Sequence, residues 1–339
     1  AIRIRYRTVI IPAYNEEKPL KRCLDSIFAS DFIHAMEVIL VNDGSTDGTL
    51  AVAGEYLKHP NFILIDQENQ GTARARWSGI RAGAGEYFSF IDADDYIKPD
   101  MMSRMYSAIQ ESGADVAVCG MLRVIDGEVQ PLRNYAGLEP EDGESAIKRI
   151  ILDNANFGLC NKLVSRTLIT EEDCKRTFGI EFSEDLLLLF PLLLRARQVA
   201  YVADNFYFYV ATPGSATQNL SLKSWNDRLF VHTTVYEELI RAGISFKGTT
   251  YHGMYVRTLL KSLRKLITEK PGPESQKHRT DIVKKLSSMD FQDILASKSK
   301  RIIADYFMVR LRLFSLMYSI WESRYLSDLR RLWARRKKF

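Results

Sequence analysis

TVIIPAYNEEKPLKRCLDSIFASDFIHAMEVILVNDGSTDGT, Thr8 to Thr49, sets the pattern of the chain: a short β-rich run, a helix-length amphipathic segment, then a β-rich run ending in a polar loop. TVIIP reads as a strand, the segment from about Glu17 to Ala29 as a helix, and EVILV as the next strand. The alternation continues through a helix near Asp47 to Leu57, the strand FILI, a helix near Thr72 to Ala82, the strand YFSFI, a helix near Asp100 to Glu111 and the strand DVAVC. Strands separated by helices pair in parallel, so the predicted fold class is α/β, a mainly parallel sheet flanked by helices. Ligands of such sheets bind beyond the carboxyl ends of the strands. Three strongly polar loops fall there: AYNEE after the first strand, NDGSTDGT after the second and DADD after the fourth.

After Gly120 the pattern changes. Asp126-Gly127 marks a hairpin turn between about Met121 and Pro131, and a helix is expected near Glu139 to Leu152. GLCNKLVSRTLI, FSEDLLLLFPLLLRA and YVADNFYFYVATPGSAT then mix elements up to about Ser215, with Pro191 expected to end or bend its helix. Beyond Ser221 the chain reads as mostly helical, broken by EKPGPESQ at Glu269 to Gln276. The expected division is an α/β domain over residues 1–215, its halves meeting near residue 120, and a helical C-terminal region over 216–339.

Composition excludes several classes. The 339 residues, 46% hydrophobic and 26% charged, match a soluble globular protein of about two domains. Cys23, Cys119, Cys160 and Cys174 lack zinc-site spacing and read as buried thiols in a reducing compartment. No apolar stretch reaches the roughly 20 residues that span a bilayer, and no signal peptide is visible, so a cytoplasmic location is expected. The net charge of +5 is uneven: from Lys298 to Phe339 twelve Lys or Arg face three acids, which leaves the rest of the chain acidic. A nucleic-acid enzyme would carry a basic stripe along its cleft, and the first half has none, so no nucleic-acid partner is expected.

The densest chemistry lies in FSFIDADDYIKPD, Phe88 to Asp100. In extended chain residues i and i+2 point the same way, so Asp92 and Asp94 can face one hard cation while the small Ala93 lets a ligand approach. Mg²⁺ or Mn²⁺ needs only one or two carboxylates when phosphate oxygens complete its shell. The competing reading is an acidic turn before a helix that starts at Pro99. In VNDGSTDGT, Ser45 or Thr46 reads as a helix cap with Asp47 favouring the positive helix end, which leaves Asp43 in need of another partner. Glu184 and Asp185, after Ser183, suit either the first turn of a capped helix or a general base.

Taken in order, TVIIPAYNEE, VNDGSTDGT, NQGTARARWSGIRAGAGEYFSFIDADD and FSEDLLLLF resemble the motifs of the family 2 glycosyltransferases with a GT-A fold, over roughly residues 7 to 215. The resemblance implies a GT-A, Rossmann-like domain with a nucleotide-sugar half to about residue 120 and an acceptor half after it. Pro12, Ala13 and Tyr14 match a loop that lies against the nucleotide base, and Asp43 matches the acid that accepts the uracil N3 proton. Asn69 and Arg76 match positions near base and ribose; the family's frequent Ala-Arg-Asn is Ala75-Arg76-Trp77 here, with Trp77 read as core. Asp92, Ala93 and Asp94 match the DxD element, whose first acid addresses ribose or sugar and whose second binds the metal. Asp95 is either an orienting group for Arg76 or the donor sugar, or an exposed loop acid. Asp185, with Glu184 beside it, matches the base element, and Asn161 and Lys162 match a recurring CNKL segment. Lys162 then lies near the acceptor or a phosphate, or is a solvated helix-end charge.

The implied activity is a metal-dependent, inverting transfer from a UDP-sugar to a hydroxyl of a glycan or lipid-linked glycan, with Mn²⁺ or Mg²⁺ as cofactor. A dTDP-sugar offers the same N3 donor. A nucleotidyltransferase would need a Gly- and basic-rich phosphate loop near the first strand, which is missing. A glycan-binding module would need no separately placed base. In the tail, Ile302 to Ile320 is expected to pack on the protein and Arg330 to Phe339 to rest on anionic lipid with Trp321 or Trp333 at the interface, giving a peripheral placement at the inner face of the membrane. An oligomer seam is the remaining reading of this segment.

Overall fold

The computed structural model describes residues 7–211, 221–268 and 273–289 and the single positions 303, 306, 307 and 309. The expectations for Trp321, Trp333 and Arg330 to Phe339 lie outside the described residues; within Ile302 to Ile320, Tyr306 and Val309 are buried.

Strands Arg7–Ala13 (β1), Met36–Asp43 (β2), Phe62–Gln67 (β3) and Tyr87–Phe90 (β4) pair in parallel in the order β3-β2-β1-β4. Every residue of β1 and β2 is buried, which is why these strands read as near-continuous apolar runs. Helices Leu20–Phe28 (α1), Thr49–Gly54 (α2) and Thr72–Ala82 (α3) make the crossovers. Leu20, Cys23, Leu24 and Ile27 bury one stripe of α1 at helical spacing. α1 begins at Leu20 and not near Glu17, because Glu16 and Glu17 bond to the loop after β2.

The second half of the sheet is mixed. Tyr96–Ile97 (β5), Met101–Ser112 (α4), Val116–Ile125 (β6) and Glu128–Arg133 (β7) follow, then Gly143–Ala146 (α5), whose chain continues as π-helical turns over Ile147–Asp153. Lys162–Ser165 (β8), Glu171–Lys175 (α6), Glu184–Arg195 (α7) and Val199–Val210 (β9) complete it. The nine strands run β3-β2-β1-β4-β8-β6-β9-β5, with β7 on β6. β8 opposes both β4 and β6, while β9 is parallel to β6. The hairpin turn falls as expected, with Asp126 at φ 50° and Gly127 at φ 85° closing β6 onto β7.

Pro191 does not end its helix: α7 continues through it to Arg195. A mid-helix proline costs about 3 kcal/mol, but Leu186 to Phe190, Leu192 and Leu193 are all buried, at about 1.5–3 kcal/mol each, so packing outweighs the lost bond.

The chain divides into two compact units, Ala1–Ile151 with Asn156–Asp227, and Leu152–Ala155 with Arg228–Phe339. Helix Leu222–Arg241 (α8) leads into the second, which contains Thr250–Thr268 (α9) and Pro273–Ser288 (α10). Tyr255, Val256, Leu259, Leu260, Leu263 and Leu266 bury one face of α9 against Ile282 and Leu286 of α10. Among the described residues no helix is long and apolar enough to cross a membrane. The four cysteines are buried free thiols.

Candidate active site

Parallel pairing sets the loops after β1, β2 and β4 side by side. The first two interlock. Asn15, at φ 56°, donates its N–H to Ser45 Oγ (3.0 Å), and its own Oδ1 accepts from the Thr46 N–H (2.8 Å). Glu16 N–H reaches Thr49 Oγ1 (2.7 Å) and Glu17 N–H reaches Asp47 Oδ2 (3.2 Å). Ser45 and Thr46 therefore tie two loops together instead of capping α2; Asp47 takes the Thr49 N–H at 3.0 Å. Tyr14 stands on this rim, 48% exposed, while Pro12 and Ala13 are buried at the end of β1.

The partner of Asp43 is now visible. Its Oδ1 accepts from Gln67 Nε2 (2.7 Å) and the Gln70 N–H (3.0 Å), and its Oδ2 from the Gly71 N–H (2.8 Å). A carboxylate has about four acceptor positions, so one remains. Beside it opens a cleft of about 440 Å³ lined by Asn69, Gln70, Gly71, Glu181, Glu184 and Lys223.

Beyond β4 the chain turns, with the Asp95 N–H donating to Asp92 O at 3.1 Å; Asp92 and Asp94 are half-buried, Ala93 and Asp95 buried. Arg76, on the buried face of α3, is their central cation. Its Nη1 donates to Glu184 Oε1 at 2.9 Å and lies 2.5 Å from Asp185 Oδ1, and its Nη2 stands 3.6 Å from Asp92 Oδ1. The Asp185 contact falls outside the N–H direction, so it is a charge contact without a directed hydrogen bond. One guanidinium for three carboxylates leaves the cluster acidic. Burial, opposed by Arg76 and reinforced by Asp185, Asp94 and Glu184, pushes Asp92 up to about 7. Burial also raises Asp94 and, with Asp185 beside it, Glu184. Glu16, from the first loop, is pushed up to about 7 by burial and by Asp94, Asp47 and Asp92.

Asp95 is neither exposed nor on Arg76. It is fully buried, and its carboxylate accepts from Tyr207 Oη (2.6 Å) and the Val210 N–H (2.7 Å) on β9. The same Tyr207 oxygen accepts the Asp92 N–H at 3.2 Å, so β9 holds the acidic loop from below. Lys162 is not a solvated charge either. It is fully buried at the start of β8, with Nζ donating to Gly158 O (2.6 Å) and Asn161 Oδ1 (2.8 Å).

At α7, Ser183 occupies the cap position in a left-handed conformation, φ 70°, and its side chain makes no capping bond. The structure thus brings Arg76, Asp92, Glu184 and Asp185 together, with Asp94 on the same loop, and places Asp43, Asn69 and Tyr14 along the neighbouring rim. Trp77, half-buried, lines a small cavity with Arg76 and Glu184 and also a groove with Ile80 and Arg81. Glu16 and Tyr207 join the constellation unannounced by the sequence reading. The polarity of AYNEE pointed to the loop but not to which acid turns inward, and Tyr207 sits in an aromatic strand that reads only as core. Among the described residues no three metal-ligating side chains converge, so an ion here would share its shell with a ligand.

Residues 8–168 match the family model described as glycosyl transferase family 2. The protein named glycosyltransferase EpsH of Bacillus subtilis (strain 168) is 30% identical over 234 residues, 67% of each chain. The poly(ribitol-phosphate) β-N-acetylglucosaminyltransferase TarS of Staphylococcus aureus (strain MW2) is 25% identical over 70% of this chain and 41% of its own length. The crystal structure of residues 1–349 of S. aureus TarS with UDP-GlcNAc superposes with a TM-score of 0.64 at 19% identity, covering 90% of either chain, which shows a shared GT-A-like fold. By its family match and its relatives, the chain belongs to glycosyl transferase family 2 and is a glycosyltransferase.

Proposed function

We propose that the chain moves a sugar from a UDP-sugar to a hydroxyl of a glycan or lipid-linked glycan acceptor, inverting the anomeric centre, in polysaccharide or glycoconjugate synthesis. Arg76 carries this reading. One buried guanidinium reaches both the acid that follows β4 and the two acids that open α7, so a donor-side carboxylate and a candidate base belong to one constellation. The UDP-GlcNAc held by the TarS structure of the same fold supports a uridine donor.

Each residue then has a task. The unused acceptor position of Asp43 takes the uracil N3 proton, Tyr14 lies against the base from the rim, and Pro12 and Ala13 form the floor beneath it. Asn69 and the cleft it lines receive the nucleoside; their volume suits a small ligand. Asp92 addresses the ribose or sugar, Ala93 keeps the approach open, and Asp94 is the ligand for Mg²⁺ or Mn²⁺. The donor set fits such an ion, because these carboxylates are hard and crowded, and neither Arg76 beside Asp92 nor Arg22 near Asp94 offsets the upward push of burial. When bound, the ion supplies Lewis-acid stabilisation of the UDP leaving group. Asp185 takes the proton of the acceptor hydroxyl, whose oxygen attacks from the face opposite the diphosphate. In this reading residues 1–215 carry the chemistry, 216–339 are the helical region, and the basic end from Arg330 to Phe339 rests on anionic lipid, which liposome flotation of a chain lacking those ten residues tests.

Asp185→Asn is expected to cost about 10²-fold or more in turnover while UDP and Mn²⁺ still bind by titration calorimetry. Wild-type turnover in that variant sinks the base assignment. A UDP-sugar panel with Mn²⁺, scored for UDP release, names the donor; release of pyrophosphate would instead indicate nucleotidyl transfer, and glycan binding without turnover a binding module.

A further inference from the structure

Lys162 is an expensive residue in this fold. Burying an ammonium costs several kcal/mol unless an opposite charge repays it, and among the described residues no carboxylate lies within ion-pair distance. Its two partners are neutral: the carbonyl of Gly158 and the side-chain oxygen of Asn161. Asn161 is itself anchored, with Nδ2 donating to Cys119 O on β6 at 2.6 Å. The ammonium therefore fastens the Gly158 backbone to the sheet.

What Gly158 faces gives the fastening a purpose. A methyl group placed on Gly158 would stand 3.4 Å from Cys160 Sγ and 4.0 Å from Asp185 Oδ2, both ordinary van der Waals distances. Gly158 thus lies about one side-chain carbon away from van der Waals contact with the Asp185 carboxylate. Displacing a catalytic group or its wall by about 1 Å can cost 10²-fold in rate. We propose that Lys162 is a positioning residue: by holding the Gly158 carbonyl it sets the wall against which the attacking hydroxyl of the acceptor seats beside Asp185. The proposal rests on the reading of Asp185 as the base.

The surroundings of the ammonium give it a signature that a neutral fastening would lack. It is influenced by Asp185 from α7, Arg133 from β7, Cys119 from β6 and Cys160 in its own loop. Burial pushes Cys119 up to about 12 and Cys160 well above the usual thiol range, so neither thiol titrates near neutrality. Burial pushes Lys162 down to about 8. Below that pH an ammonium holds the two oxygens by charge-assisted bonds and above it a neutral amine holds them by weaker ones, so positioning by the charge adds an alkaline fall in turnover centred near there.

Three variants test this: Lys162→Met, Gly158→Ala and Asp185→Asn. Each is assayed by calorimetry with UDP and Mn²⁺ and by UDP release, from pH 6 to about 9.5, from the UDP-sugar that wild-type protein turns over fastest. Lys162→Met is expected to lower kcat about tenfold or more, leave UDP affinity within about twofold, and lose the alkaline fall. Gly158→Ala leaves the clamp intact and fits the space, so it is expected to fold, bind UDP and turn over several-fold more slowly; it keeps the test decisive if Lys162→Met does not fold. Wild-type turnover in the lysine and glycine variants with Asp185→Asn inactive overturns the positioning role and leaves the base standing. A slower Lys162→Met that keeps the alkaline fall also overturns it, by marking the lysine as structural. An active Asp185→Asn removes both readings together.

Discussion

The two polar rims of the sheet hold most of their acids in opposite ways, with Glu16 of the first loop pushed up like those of the second. On the β1–β2 rim, Asp47, Glu17 and Asp43 accept directed bonds from backbone N–H groups and neutral side chains. Asp47 shows the outcome: although desolvation opposes it, the Thr49 hydroxyl and N–H and the Glu17 N–H hold its carboxyl below the usual range. On the β4–α7 rim, Asp92 and Glu184 share Arg76 and are pushed up. Acids matched to donors are fixed in place, and acids short of positive charge favour taking up a proton.

The largest effect expected to test this contrast comes from Arg76→Met. It removes the only cation within ion-pair distance of Asp92, Glu184 and Asp185 among the described residues, and should destabilise the fold by about 3–5 kcal/mol in denaturant titration. A loss below about 1 kcal/mol would show that the acids were solvated after all. Next in size is ligand binding. Asp94→Ala should weaken Mn²⁺-dependent UDP binding by about tenfold or more, some 1.4 kcal/mol, while sparing folding. Wild-type UDP binding should itself weaken as pH falls from 8 to 6, because Asp92, pushed up to about 7, is deprotonated above that value and protonated below it. Folding runs the other way. A carboxyl raised in the folded state contributes stability that is greatest at acid pH and lost as pH rises from about 4 through about 7, so ligand-free protein should show a higher thermal midpoint at pH 5 than at pH 8. Tyr207→Phe leaves Asp95 buried without one of its two donors and should cost about 1–3 kcal/mol, read by the same titration. The smallest effect belongs to the other rim: Asn15→Ala loses its bond from Thr46 and should cost about 0.5–1.5 kcal/mol, with UDP affinity changed little. A reversal of that order would mean that the first rim, and not the charged one, organises the site.

Much of this was legible beforehand because it depends on local periodicity. The four parallel strands follow from apolar runs separated by helical stripes. The resemblance placed Arg76 and Asp185 among the functional positions. Where expectation failed, a distant partner had intervened. Ser45 and Thr46 bind the loop of Asn15, roughly thirty residues away, in place of their own helix. Pro191 stays helical because seven neighbouring side chains are buried. Of the two readings of Lys162, the solvated helix-end charge fails, because nothing nearby in sequence reveals that β8 lies between β4 and β6 in the middle of the sheet.

By itself, then, the sequence determined the α/β alternation, the family, and which loops carry acids, since each follows from side-chain type at short spacing. Only the tertiary structure decided which acids are neutralised and which are poised. Charge balance depends on what comes within a few ångströms across the fold, and Arg76 meets Glu184 across a separation of 108 residues.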